Sequence, residues 1–112
     1  MTPSILDYVG LSGVLFLIGG IGFLVRRNVL VTLMSIEVML NAANLALVAF
    51  NRSRLARTPL QQYSGQSHTG QVFAFFVIAA EAAEVAVGLA IVLAMYRLRH
   101  TVRSDEADLL RN

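Results

Sequence analysis

Apolar residues fill three long blocks of the chain, at about 5–25, 29–50 and 72–96, and polar residues gather between and after them. A helix needs about twenty predominantly apolar residues, at 1.5 Å per residue, to cross the roughly 30 Å hydrocarbon core of a bilayer. Each block meets that length, and none shows the one-sided polar periodicity of a helix resting on a soluble core. The pattern predicts an all-α membrane protein, 1–112, forming a single integral membrane domain of three transmembrane helices in an antiparallel bundle. Only Arg26, Arg27 and Asn28 separate the first two blocks, so these form a tight hairpin. The segment 51–71 carries Pro59 and Gly65 and reads as an extramembrane loop, and 97–112 is a charged tail. Pro3 suits the first turn of the first helix, where its missing N–H does no harm. Gly10 with Gly13, and Gly19 with Gly22, are three apart and share faces on which another helix can approach closely.

Composition fits this picture and removes several alternatives. The chain has 112 residues, of which 56% are hydrophobic and 14% charged. It has no cysteine, which excludes disulfides, thiolate zinc sites and cysteine-held iron–sulfur clusters. His68 and His100 lie outside the apolar blocks, which leaves no membrane histidines to hold a haem. No metal-ligand spacing, phosphate loop or nucleophile–base pair is present. Every basic residue is arginine, and these cluster at block ends, as suits a membrane protein rather than a nucleic-acid binder. The first block has no Lys or Arg before it and Asp7 at its start, so it reads as a retained helix rather than a cleaved signal.

With three spans, the short turn and the tail share one side of the membrane. They carry Arg26, Arg27, Arg97, Arg99, Arg103 and Arg111, against Arg52, Arg54 and Arg57 on the other side. The positive-inside rule then puts the N-terminus outside and the C-terminus in the cytoplasm, in a bacterial-type plasma membrane.

Three glutamates interrupt the apolar blocks: Glu37 in the second, Glu81 and Glu84 in the third. An acidic side chain at the centre of a spanning helix costs about 3 kcal/mol on insertion scales, and intramembrane ionisable groups usually mark ion paths or proton relays. Glu37 lies roughly eight residues, and Glu84 roughly twelve, from the cytoplasmic ends of their blocks, so both fall near mid-membrane. Glu37, Asn41 and Asn44 lie within about 60° of one another on a helix, and their amides can support a carboxyl or hold water beside it. Glu81 and Glu84 are three apart and share a face flanked by small alanines. Facing stripes would bring the carboxyls of Glu37 and Glu84 within one or two waters, where they would titrate as a coupled set. Three helices that bear three carboxyls between them also call for partner helices to cover the polar stripes. The plainer reading is that each glutamate hydrogen-bonds to a neighbouring helix and glues the bundle, and this applies most to Glu81. Asn41 and Asn44 serve equally well as such glue. Arg26 and Arg27 are first of all topology anchors. Met34, Met39, Phe73, Phe75 and Phe76 read as packing against lipid or partners.

Several stretches carry a family resemblance. Arg26-Arg27-Asn28 and Ser35-Ile36-Glu37-Val38-Met39-Leu40-Asn41-Ala42-Ala43-Asn44-Leu45 resemble subunit K, the 4L-type subunit, of NADH-quinone oxidoreductase, respiratory complex I. So do Gly70-Gln71-Val72 and Ala83-Glu84-Val85-Ala86-Val87-Gly88-Leu89-Ala90, and the tail Asp105-Glu106-Ala107-Asp108-Leu109-Leu110 is similar to family endings. The resemblance covers nearly the whole chain. It implies a three-helix membrane-arm subunit between the quinone-site subunit and the antiporter-like subunits. It also implies no cofactor on this chain, with NADH, FMN, iron–sulfur clusters and quinone on partner subunits. The family glutamates of helices two and three fall on Glu37 and Glu84, and the arginines of its cytoplasmic turn on Arg26 and Arg27. Glu81 lies one turn before the family position and has no family role, so its loss is expected to matter less than that of Glu84. The loop 51–71, with Arg54, Arg57 and Pro59, is longer than the family's.

The expected function is proton relay through intramembrane glutamates within a proton-translocating NADH:quinone oxidoreductase. Two alternatives stay open: a small subunit of a multisubunit cation/proton antiporter, which lacks the second-helix glutamate, and a purely structural assembly subunit.

Overall fold

The computed structural model of the chain describes residues 2–57 and 68–100, together with Arg103. Three α-helices account for nearly all of them: α1 (Ile5–Val25), α2 (Val29–Arg57) and α3 (Thr69–Arg99). Each is long and apolar enough to cross a membrane. The loop residues Pro59 and Gly65 and the tail from 104 to 112 lie outside the described residues.

Local chemistry sets the helix ends. Ser4 caps α1: its Oγ accepts from the Asp7 N–H at 3.4 Å, while the Asp7 carboxylate accepts from the Ser4 N–H at 2.7 Å. This reciprocal pair satisfies donors the helix cannot satisfy itself. Pro3 thus sits ahead of the cap, not in the first turn as the sequence suggests, because Ser4 takes the extended cap conformation. The chain leaves α1 through Arg26, also extended. It re-enters a helix at Asn28, whose side-chain oxygen accepts from the Leu30 N–H at 2.9 Å and caps α2. The C-cap Arg26 and the N-cap Asn28, separated only by Arg27, make the tight hairpin. α2 runs past 50 to Arg57, and α3 starts at Thr69 and continues to Arg99, so both helices extend beyond the expected blocks. Backbone hydrogen bonds carry a helix past the last apolar residue. At the other end of α3, His100 adopts a left-handed conformation and its N–H closes the helix on the Tyr96 carbonyl at 2.7 Å.

α2 is the middle helix, and the two principal seams are α1–α2 and α2–α3. In the first seam, Gly19 and Gly22 let α1 lie directly on α2. A Cβ at Gly19 would stand 2.6 Å from Met39 Cγ and 2.8 Å from the Ser35 carbonyl, and one at Gly22 would stand 2.7 Å from Ser35 Oγ. Gly10 and Gly13, by contrast, face open space. Ser12, buried on α1, donates its hydroxyl to the carbonyl of the fully buried Ala42. In the second seam, Gly88 lies under Leu33, and Gly70 under Asn51. Ala74, Glu81 and Val92 are the buried residues of α3. The remaining surface of α3 is open and apolar, with Phe73, Phe75, Phe76, Val87, Ile91 and Leu93 all exposed.

The turn and the tail meet at one end of the bundle, where Asn28 and Arg103 form an isolated antiparallel bridge.

Candidate functional site

The α2–α3 seam places polar side chains inside two spanning helices. Leu33, Glu37, Leu40, Asn44, Leu47 and Asn51 recur at steps of four and three along α2. At 100° per residue they share one face. Leu33 and Asn51 pack against α3 through its glycines, and Asn44 bonds to it directly. Apolar and polar residues therefore alternate down this face: Glu37, Asn44 and Asn51 are seven apart, with a leucine between each pair.

Glu81 is the centre of the arrangement. It is 4% exposed, the most buried charged-type side chain of the chain's buried set. Asn44, 9% exposed, donates its Nδ2 to Glu81 Oε1 at 3.0 Å across the seam. Glu37 lies on the same face of α2 as Asn44, and Glu84 lies three residues along α3 from Glu81. Glu37 is half-buried, whereas Glu84 is exposed, because three residues along α3 turn it about 60° away from the face that meets α2.

The sequence-selected residues thus separate into groups. Asn44 supports a carboxyl, as its position suggests, but the carboxyl is that of Glu81. Asn41 is exposed, and its Nδ2 donates to the backbone carbonyl of Glu37 at 2.9 Å, within its own helix, rather than to a carboxyl. Glu84 shares the seam level with Glu37 but presents its side chain outward. Arg26 and Arg27 are exposed in the hairpin turn, about three helical turns' worth of chain from Glu37. Among the described residues no three His, Cys, Asp or Glu side chains gather as a metal site.

Two polar positions escape the sequence reading. Ser12 looks like an ordinary helix residue and proves to be the α1 anchor on Ala42. Asn51 falls in the expected loop but sits on α2 against Gly70, with its amide nitrogen buried and without a hydrogen-bond partner. The seven-residue spacing of Glu37, Asn44 and Asn51 was the available signal for the latter.

What this arrangement can do is hold, donate or accept protons in a buried seam. It has a buried carboxyl with an amide donor, a second carboxyl on the facing helix, and a third turned outward.

Comparison with known proteins identifies the family. Residues 7–112 match the family model described as NADH-ubiquinone/plastoquinone oxidoreductase chain 4L. The chain is 62% identical over 105 residues to the NADH-quinone oxidoreductase subunit K of Sorangium cellulosum, covering 94% of this chain and 92% of that one. It is 48% identical over 111 residues to the protein of the same name from Methylacidiphilum infernorum, covering 99% of each. A third, from Roseiflexus castenholzii, is 48% identical over 104 residues, covering 93% of each. With three membrane-crossing helices, glutamates inside two of them and these matches along almost its entire length, the chain belongs to the chain 4L, or subunit K, family of NADH-quinone oxidoreductase.

Proposed function

We propose that this membrane-arm subunit relays protons through Glu37 and Glu84, so that quinone reduction on partner subunits is coupled to proton transport. The observation that carries the reading is the group of carboxyls on two packed spanning helices: Glu81 is buried in the α2–α3 seam on the Asn44 amide, Glu37 lies on the same face of α2 as Asn44, and Glu84 lies three residues along α3. Asn44 fixes the geometry of this set. Arg26 and Arg27 hold the cytoplasmic turn.

The redox chemistry belongs to partners, which carry NADH, FMN, iron–sulfur clusters and quinone. The partners in contact with this chain are the quinone-site subunit, neighbouring small subunits and antiporter-like subunits of the membrane arm. The outward-facing Glu84 supports that placement, since a carboxyl facing lipid at mid-membrane is costly and a neighbouring helix relieves it. The membrane is of the bacterial plasma-membrane type, with the N-terminus outside and the tail in the cytoplasm. The printed names of the relatives favour the oxidoreductase over an antiporter subunit.

Glu→Gln substitution tests the relay, because it keeps shape and most hydrogen bonding but removes the titratable proton. Glu37→Gln and Glu84→Gln are each expected to lower quinone reduction in assembled complexes, with Glu→Asp milder. Gln variants with full activity, or losses that only follow reduced assembly, would support the structural reading instead.

A further inference from the structure

We infer that Glu81 is a third proton-carrying carboxyl of this chain, linking Glu37 on α2 to Glu84 on α3, with Asn44 as its positioning residue. The inference rests on the relay reading above and adds the step inside the subunit. Three observations carry it. Glu84, the carboxyl at the family position, is exposed on the side of α3 that α2 leaves open. Glu81 faces α2 and is 4% exposed. The Asn44 amide holds Glu81 Oε1 at 3.0 Å from the facing helix, which fixes the side chain in the seam. α3 therefore offers two carboxyls with different duties: Glu84 toward whatever helix covers α3, and Glu81 toward Glu37.

The Asn44 amide group cannot itself titrate in this range, so it serves as a fixed donor rather than a carrier. The step is a proton transfer only. One O–H bond breaks at the donor carboxyl and one forms at the acceptor carboxylate, and the negative charge moves the opposite way. No oxidant or co-reactant enters. Asn44 donates to Oε1 in either state, which leaves Oε2 as the oxygen that gains and loses the proton.

The test uses the whole complex in sealed vesicles. Protons moved per NADH oxidised, and infrared difference spectra across one redox cycle, are measured for the native complex and for Glu81→Gln, Asn44→Ala, Glu37→Gln and Glu84→Gln. NADH oxidation by a soluble artificial acceptor serves as the assembly control. The inference predicts that Glu81→Gln loses proton transport while keeping the control rate. It predicts that the native difference spectrum contains a carboxyl C=O band that vanishes in Glu81→Gln and shifts in Asn44→Ala, which still has the carboxyl but not its donor. A purely structural Glu81 would give no such band. Normal transport in Glu81→Gln, with loss in Glu37→Gln and Glu84→Gln, overturns this inference and leaves the relay standing. Normal transport in all three overturns both. Should Glu81→Gln fail to assemble, the native and Asn44→Ala spectra decide: a carboxyl band that Asn44→Ala leaves unmoved overturns the inference, and a shifted one supports it.

Discussion

Asn41 and Asn44 are the same residue less than one helical turn apart, yet they do different things. Asn41 is exposed and bonds back to its own helix at the Glu37 carbonyl, while Asn44 is buried and reaches across to Glu81. Sequence spacing places both beside Glu37 and treats them alike. What separates them is the register of α3 against α2, which spacing along one helix does not contain. The same holds for Glu81 and Glu84. The resemblance in sequence favours Glu84, but burial turns on which side of α3 meets α2. Because Asn44 is the donor to a buried carboxyl, its loss leaves that group short of a partner, a cost of about 1–3 kcal/mol. Asn44→Ala is therefore expected to make the assembled complex release this subunit at lower detergent concentration or temperature. Asn41→Ala is expected to stay within about 0.5 kcal/mol of the native protein, as substitutions away from buried contacts do. Equal retention of the subunit in the two variants would contradict the assigned hydrogen bonds.

The helices themselves were legible because length and apolar content decide them. Their ends were less so: α2 and α3 continue beyond the apolar blocks, since a helix that has formed needs no lipid to extend through Asn51, Arg52 and Ser53. The small-residue spacing of α1 was read correctly as a signal of close approach, but it does not say which glycine pair is used. Gly19 and Gly22 lie on Ser35 and Met39, whereas Gly10 and Gly13 meet nothing. This gives a paired prediction for the thermal stability of the complex. Gly19→Val forces side-chain atoms into the α2 backbone and is expected to cost about 1–3 kcal/mol through overpacking. Gly10→Ala fills open space and removes a flexible residue from a helix interior, a change of up to about 1 kcal/mol in the stabilising direction. If Gly10→Ala proves the more harmful, the α1–α2 register described here is wrong.

As a whole molecule, the chain is two seams and a large exposed apolar surface. α3 touches the rest of the subunit mainly through α2 and exposes Phe73, Phe75, Phe76 and Glu84 elsewhere. The apolar part of that surface suits lipid or a partner equally, but Glu84 does not suit lipid. The subunit is therefore expected to purify with the oxidoreductase in mild detergent, and a monodisperse, partner-free protein would argue against the proposed contacts. Orientation was argued from arginine counts, and the bridge between Asn28 and Arg103 keeps the turn and the start of the tail together at one end. The chain has no native cysteine, so single cysteines report cleanly. Those introduced at Ser53 and Ser104 are expected to label from opposite sides, Ser104 from the cytoplasm, and reversed labelling would invert the proton path. That two glutamate-bearing helices form one seam was foreseeable from the polar stripes, whereas the identity of the buried carboxyl required packing. The central claim, that this subunit moves protons rather than merely bracing the arm, is tested most directly by the ratio of protons transported to NADH oxidised in vesicles carrying Glu37→Gln or Glu84→Gln complexes. The account predicts a lower ratio in both, with assembly and NADH oxidation by an artificial acceptor unchanged; a native ratio in both fully assembled variants would contradict it.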